Sequence, residues 1–334
     1  MQKHVGTGRK PLPLRDGVDP VCFRLPQQLP AEWVGRTAAE IYLERFDRKR
    51  NFLAAEIAAG NVVDDDGVCI TFETPARRGL GMWSYRPLPA KEDPVPLDIP
   101  RIYQDDKILV IDKPHFLPTI PRGKFVTHTA LVQLRRELTA AGLAEAAAHT
   151  TPAHRLDRHT AGVLLFTLQP QLRRLFQKPF EEQQVRKTYY AVAPLPRPES
   201  IYGTPLLAGQ PVEIRSRIAV SRNRLDCYEV AGPVNAHTTI RLVRERNGYG
   251  LYKIRPHTGK THQIRVHMMH ADIPIVGDPL YPTIAPDAPD EVNNPQKTLQ
   301  LLAAELVVPT PSELEVPHTF RSGRRLSWPD GTLT

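Results

Sequence analysis

The stretch KILVIDKP, residues 107–114, is an almost unbroken apolar run halted by Pro114. A run that short and that apolar predicts a strand buried on both faces. GVLLFTL (162–168) repeats the pattern, and LQLLAAELVVP (299–309) is apolar enough to return to the core. VRKTYYAVAPL (185–195) is rich in β-branched and aromatic residues and predicts another strand. Residues 211–255 read as long extended stretches. Helical spacing appears in THTALVQLRRELTAAG (127–142), where Leu131, Leu134 and Leu138 share one face between a Thr cap and a stop at Gly142. PQLRRLFQK (170–178) opens a helix on a proline, which suits a first turn. THQIRVHMMHA (261–271) predicts a helix with Thr261 as its N-cap. Strands and helices mix without a βαβ beat, so the expected class is α+β with a mixed, mainly antiparallel sheet.

Nearer the N-terminus, TAAEIYLERFDRKRNFLAAEIAAG (37–60) predicts one helix ending at Gly60. NVVDDDGVCITFE (61–73) predicts two short strands about an Asp-Gly turn. Such a helix and hairpin resemble a degenerate S4-like RNA-binding unit; a structural cap without a partner is the other reading. RPLPAKEDPVPLDIP (86–100) holds five prolines and reads as a linker. The expected organisation is a flexible basic tail over 1–20, a small unit over 21–85, the linker over 86–100, and a larger domain over 101–334.

Length and composition sharpen this. A chain of 334 residues with 41% hydrophobic and 24% charged residues is an ordinary globular profile. The net charge of +8 favours a polyanionic partner. The three cysteines, Cys22, Cys69 and Cys227, form no CxxC pair. That argues against a zinc site and a disulfide framework, and predicts reduced thiols in a cytoplasmic protein. No apolar run approaches the length of a membrane span, and the basic N-terminus lacks the apolar segment of a secretory signal.

Several motifs fail on inspection. HRLDRHTA transposes the Leu and Asp of a kinase catalytic loop and lacks its Asn. IRPHTGKT has Ile254 where a P-loop needs glycine. Of His257, His262, His267 and His270, only the last two would share a helical face, with no acidic ligand between them, so no metal site is expected. A glycosidase needs two carboxylates; Asp157 is one candidate, and a spatial partner such as Asp278 stays open. Three residues remain: Asp157 in HRLDRHTAG, Tyr189 in VRKTYYA and Arg265 in RPHTGKTHQIRVH. An Asp facing an Arg stays ionised at neutral pH and can serve as nucleophile or base. Taken singly, a surface ion pair, a core aromatic and a solvated helix residue are the simpler readings.

Together with RIYQDDKILVIDKP and IPIVGDPLY, these segments resemble the RluA-type pseudouridine synthases in order and spacing over about residues 100–310. The resemblance implies the pseudouridine synthase fold, with a cleft across its sheet. It implies isomerisation of a uridine in ribosomal or transfer RNA, without cofactor or metal; nothing in the sequence demands more than a monomer or an obligate protein partner. It places the family's aspartate on Asp157, its tyrosine on Tyr189 and its arginine on Arg265, expected to pair with Asp157. It further implies that Arg155 fills the gap left by a flipped base. Lys187, Lys260 and His262 would meet the RNA, and Ile275 would wall the uracil pocket. The usual Ser after HRLDxxT is Ala161 here. A non-catalytic RNA-binding relative and an N-glycosidase are the rival readings.

Overall fold

The computed structural model describes residues 10–89, 91–221, 226–281 and 298–334. The first nine residues of the expected tail lie outside them. Residues 10–20 are not a loose tail: Val18 is buried, Arg15 and Val18 pair through their backbones, and Tyr85 Oη donates to the Pro13 carbonyl at 2.8 Å.

The chain divides into two compact units, one running to Glu92 and including Gly123–Thr127, the other formed by Asp93–Arg122 and His128–Thr334. The division falls within the proline-rich stretch. Gly123–Thr127 joins the first unit because the Glu92 carboxylate accepts hydrogen bonds from the backbone N–H groups of Val126 and Thr127, at 3.0 and 2.8 Å.

In the first unit, β1 (Val21–Arg24) pairs antiparallel with β2 (Gly81–Ser84). The single helix expected over 37–60 is two, α1 (Ala38–Arg45) and α2 (Arg50–Ala58), parted by a 3-10 turn over Asp47–Lys49. Thr37 and Glu40 cap α1 reciprocally. Phe46, at the break, turns its ring edge-on to Phe23 and Tyr42, and that packing outweighs helical continuity. The expected hairpin over 61–73 is not a ladder. Val63 bridges to both Cys69 and Trp83, while the Asp64 carboxylate holds the turn by accepting from the N–H groups of Asp66 and Val68.

The second unit is built on one eleven-stranded sheet. Its strands are β3 (Arg101–Gln104), β4 (Ile108–Lys113), β5 (Thr151–Pro152), β6 (Ala161–Thr167), β7 (Arg186–Pro194), β8 (Val212–Val220), β9 (Cys227–Val230), β10 (Ala236–Arg246), β11 (Tyr249–Pro256), β12 (Leu301–Val307) and β13 (Thr319–Arg321). The order is β3-β4-β6-β12-β7-β11-β10-β8-β9, with β5 beside β6 and β13 beside β12. Among the described strands only β6 and β12 run parallel. This is the mixed, mainly antiparallel α+β architecture expected. The helices are α3 (Ala130–Ala140), α4 (Ala144–His149), α5 (Arg173–Glu181), α6 (Gly203–Leu207) and α7 (Gln263–His270). The start of α7 departs from expectation. His262, not Thr261, is its N-cap, in a left-handed conformation (φ 55°) and without a side-chain cap.

The parallel β6–β12 pairing has a local cause. Gly162 faces Ala303 with φ 115°, and a Cβ there would lie 2.1 Å from the Ala303 carbonyl oxygen. Only glycine permits that approach. Two apolar clusters meet at this seam. One joins α3 and α4 to β4 and β6, and includes Leu156; the other joins α6 and α7 to β7, β8, β10 and β11, and includes Ile275. Tyr189 packs against both.

Candidate active site

Asp157 lies in the loop between β5 and β6, and the backbone on each side of it is tethered. On one side, the buried Thr119 hydroxyl donates to the Leu156 carbonyl at 2.7 Å and accepts from the Leu156 N–H at 3.2 Å. On the other, Lys113 Nζ donates to the Arg158 carbonyl at 3.3 Å. The carboxylate itself is 35% exposed. An aspartate held rigidly at the backbone with its oxygens still accessible is arranged to meet a ligand.

Lys113 is the residue that sequence reasoning passed over. It ends β4, is fully buried, and also donates to the carbonyls of Pro114 and Leu117 at 2.9 and 2.8 Å. Burial pushes its amine down to about 7, and the Asp157 carboxylate opposes that shift. Three carbonyls match the three protons of an ammonium. The signal was present in KILVIDKP, where a lysine closes an otherwise apolar strand. Gln263 was missed too. Its Oε1 accepts from Thr258 Oγ1 and the Lys260 N–H, and its Nε2 donates to the His237 carbonyl and Thr238 Oγ1. This single buried amide ties the HTGK turn to β10.

Arg265 is 2% exposed, and its partner is not Asp157 as expected. Nε and Nη2 donate to Asp278 Oδ2 and Oδ1 at 2.7 and 2.6 Å. Asp278 is 1% exposed and also accepts from the N–H groups of Leu280 and Tyr281. The reason is desolvation: a guanidinium buried this deeply needs a carboxylate buried with it. Asp157 adds only a more distant attraction that helps keep Arg265 charged. With both oxygens engaged by Arg265, Asp278 is not the second carboxylate a glycosidase would need.

Tyr189, on β7, faces the seam. Burial, and then the nearby Asp157 carboxylate, push its phenol well up, so the ring stays neutral. His262, expected as an RNA contact, is only 11% exposed and lies inside the site, with Nε2 at 3.9 Å from Asp157 Oδ2. Its Nδ1 is 3.1 Å from Tyr281 Oη. Burial, then Arg265, push its pKa down. Lys187 donates to the Thr258 carbonyl at 3.0 Å, and burial brings its amine to about 8. Arg155 and Lys260 are exposed, and no described residue hydrogen-bonds or ion-pairs with either side chain. Ile275 is 4% exposed and is packed into the α7 cluster. The structure thus gathers Asp157, Tyr189, His262 and Arg265, while Arg155 and Lys260 lie on the surface. Among the described residues no three His, Cys, Asp or Glu side chains form a metal-binding group, and no helix is long and apolar enough to cross a membrane.

A mixed, mainly antiparallel sheet of this kind is shared with the solved RNA pseudouridylate synthases. The solved human RNA Pseudouridylate Synthase Domain Containing 1 superposes with a TM-score of 0.50 at 21% identity, over 66% of this chain and 82% of that one. Residues 107–270 match the family model for RNA pseudouridylate synthase. The dual-specificity RNA pseudouridine synthase RluA of Escherichia coli is 30% identical over 185 residues, which is 54% of this chain and 75% of the relative. RNA pseudouridine synthase 7 of Arabidopsis thaliana is 26% identical over 272 residues, 80% of this chain. The chain spans 66% of that plant relative's length. The protein belongs to the RluA-type pseudouridine synthase family.

Proposed function

We propose that this protein isomerises a uridine in ribosomal or transfer RNA to pseudouridine, with Asp157 as the catalytic residue. The observation that carries the proposal is the accessible Asp157 carboxylate, tethered through Leu156 and Arg158 beside the neutral Tyr189. In the reaction the N1–C1′ bond breaks, the base turns, a C5–C1′ bond forms, and the C5 proton is replaced by one on N1. Neither C1′ nor C5 is reachable inside a stacked helix, so the nucleotide must first leave the stack. Arg155, exposed in the same loop, is placed to fill the gap. Asp157 acts on the sugar, as a nucleophile or by removing a proton. Tyr189 offers a flat apolar face to the loosened uracil. Arg265 is a positioning residue: its bond to Asp278 orders the segment that carries Tyr281.

The three free thiols support action in the reducing cytoplasm. On the same reading the protein acts as a monomer, without an obligate protein partner. The test is to map pseudouridine in total RNA from cells with and without the gene, complemented by wild type or by Asp157→Asn. At least one modified position should vanish on deletion and return only with wild type. Restoration by Asp157→Asn, or release of free uracil in place of pseudouridine, would refute the assignment.

A further inference from the structure

Counting hydrogens around Tyr281 fixes the state of His262. The Tyr281 hydroxyl accepts from the Cys227 N–H at 2.8 Å and donates to the Cys227 carbonyl at 2.9 Å. A phenol has one hydrogen to give, and it is spent on Cys227. The contact at 3.1 Å between His262 Nδ1 and Tyr281 Oη therefore has the imidazole as donor. Burial and the Arg265 charge keep the ring neutral. A neutral imidazole protonated at Nδ1 carries a bare lone pair at Nε2. That lone pair meets no donor among the described residues, and lies 3.9 Å from Asp157 Oδ2. Two acceptors 3.9 Å apart thus lie side by side, and a ligand hydroxyl or N–H approaching the pair can donate to the histidine nitrogen.

Given the proposed reaction, the ligand atom follows from chemistry. Asp157 must reach the sugar at C1′ or its neighbour C2′. The substrate's nearest hydrogen-bond donor to that point is the hydroxyl on C2′. We propose that His262 Nε2 accepts the hydrogen of the target ribose 2′-hydroxyl, making His262 a specificity residue that reads ribose against deoxyribose. Asp157 is then spared that hydrogen bond and keeps its oxygens for the sugar carbon or its proton. The 2′-hydroxyl is the group by which a protein distinguishes RNA from DNA. This assignment rests on the synthase reading of the site.

The test uses a stem-loop around the uridine identified by mapping, and two copies with 2′-deoxyuridine or 2′-fluorouridine at that one position. Neither substituted sugar can donate. For the ribose stem-loop the half-saturating concentration of single-turnover pseudouridine formation is measured; for the other two, the inhibition constant against it. For wild type the substituted stem-loops should bind about tenfold more weakly, the usual effect of stranding a buried acceptor. His262→Asn keeps a donor toward Tyr281, tolerates the left-handed backbone, and places nothing at Nε2. In that variant the gap should close to roughly twofold or less, with the inhibition constants of the substituted stem-loops unchanged. Tyr281→Phe, which frees Nδ1 from its acceptor, should narrow the gap part-way and covers the case in which His262→Asn does not fold. No gap in wild type, or a gap that survives in both variants, overturns the inference. A wild-type protein that makes no pseudouridine in the ribose stem-loop overturns instead the functional reading beneath it.

Discussion

Arg265 and Asp278 are nearly inaccessible to solvent and joined by two hydrogen bonds. Removing the charge from one member of such a pair strands the other. Asp278→Asn should cost about 3 kcal/mol or more of folding stability, read by urea denaturation. The tether at Thr119 is subtler. Thr119→Val keeps the shape but leaves the Leu156 N–H and carbonyl unpaired. Stability should fall by about 1–3 kcal/mol. On the proposed reading kcat should fall roughly tenfold while KM stays within about twofold, because a loosened Asp157 loses orientation rather than affinity. An unchanged kcat would remove Thr119 from the positioning of the site.

The elements show which signals in the chain are local. The buried strands at 108–113 and 161–167 follow directly from continuous apolar runs, and α3 from its Leu131, Leu134 and Leu138 stripe with Thr129 as cap. The broken helix between α1 and α2 was not legible, because the aromatic packing that holds Phe46 includes Phe23, far back in the chain. Nor was the start of α7, where the tertiary contact of His262 with Tyr281 holds a left-handed residue in place of a side-chain cap. Gly162 sits where local and global demands coincide, after the loop that carries Asp157 and against β12. Gly162→Ala would drive a methyl into the Ala303 carbonyl at a positive φ. A loss of roughly 3 kcal/mol or more is expected, with a thermal midpoint well below wild type. A variant as stable as wild type would show that β6 and β12 can separate without penalty.

Over the whole molecule, buried neutral histidines set the acid limit. Burial holds His115 and His267 at about 4, His154 at about 3 and His159 at about 2. In the unfolded chain each returns to about 6.5. Between those values the unfolded state binds more protons, so stability rises with pH across the window and is lost as pH falls below 6.5. The slope of unfolding free energy against pH near 5.5 should correspond to uptake of about four protons or more. A flat profile from pH 7.5 to 5 would mean that these rings open to solvent in the native state. The net charge of +8 bears on the proposed RNA complex: affinity should drop by about tenfold or more between 50 and 200 mM salt, as counterions compete for phosphates.

What the sequence determined by itself is whatever depends on neighbours along the chain. That covers the buried strands, the amphipathic helix, the proline-rich seam, and Asp157 within a motif set whose order resembles one family. Partnership was decided only in three dimensions. Asp157 and Arg265 looked like a pair because opposite charges in two shared motifs invite one. Yet a buried guanidinium pairs with the carboxylate desolvated beside it, and that is Asp278. His262 looked like an RNA contact because it follows Lys260 in the TGKTHQ turn. A left-handed turn at the head of α7 carries its ring inward, where Tyr281 fixes its proton and Asp157 faces its lone pair.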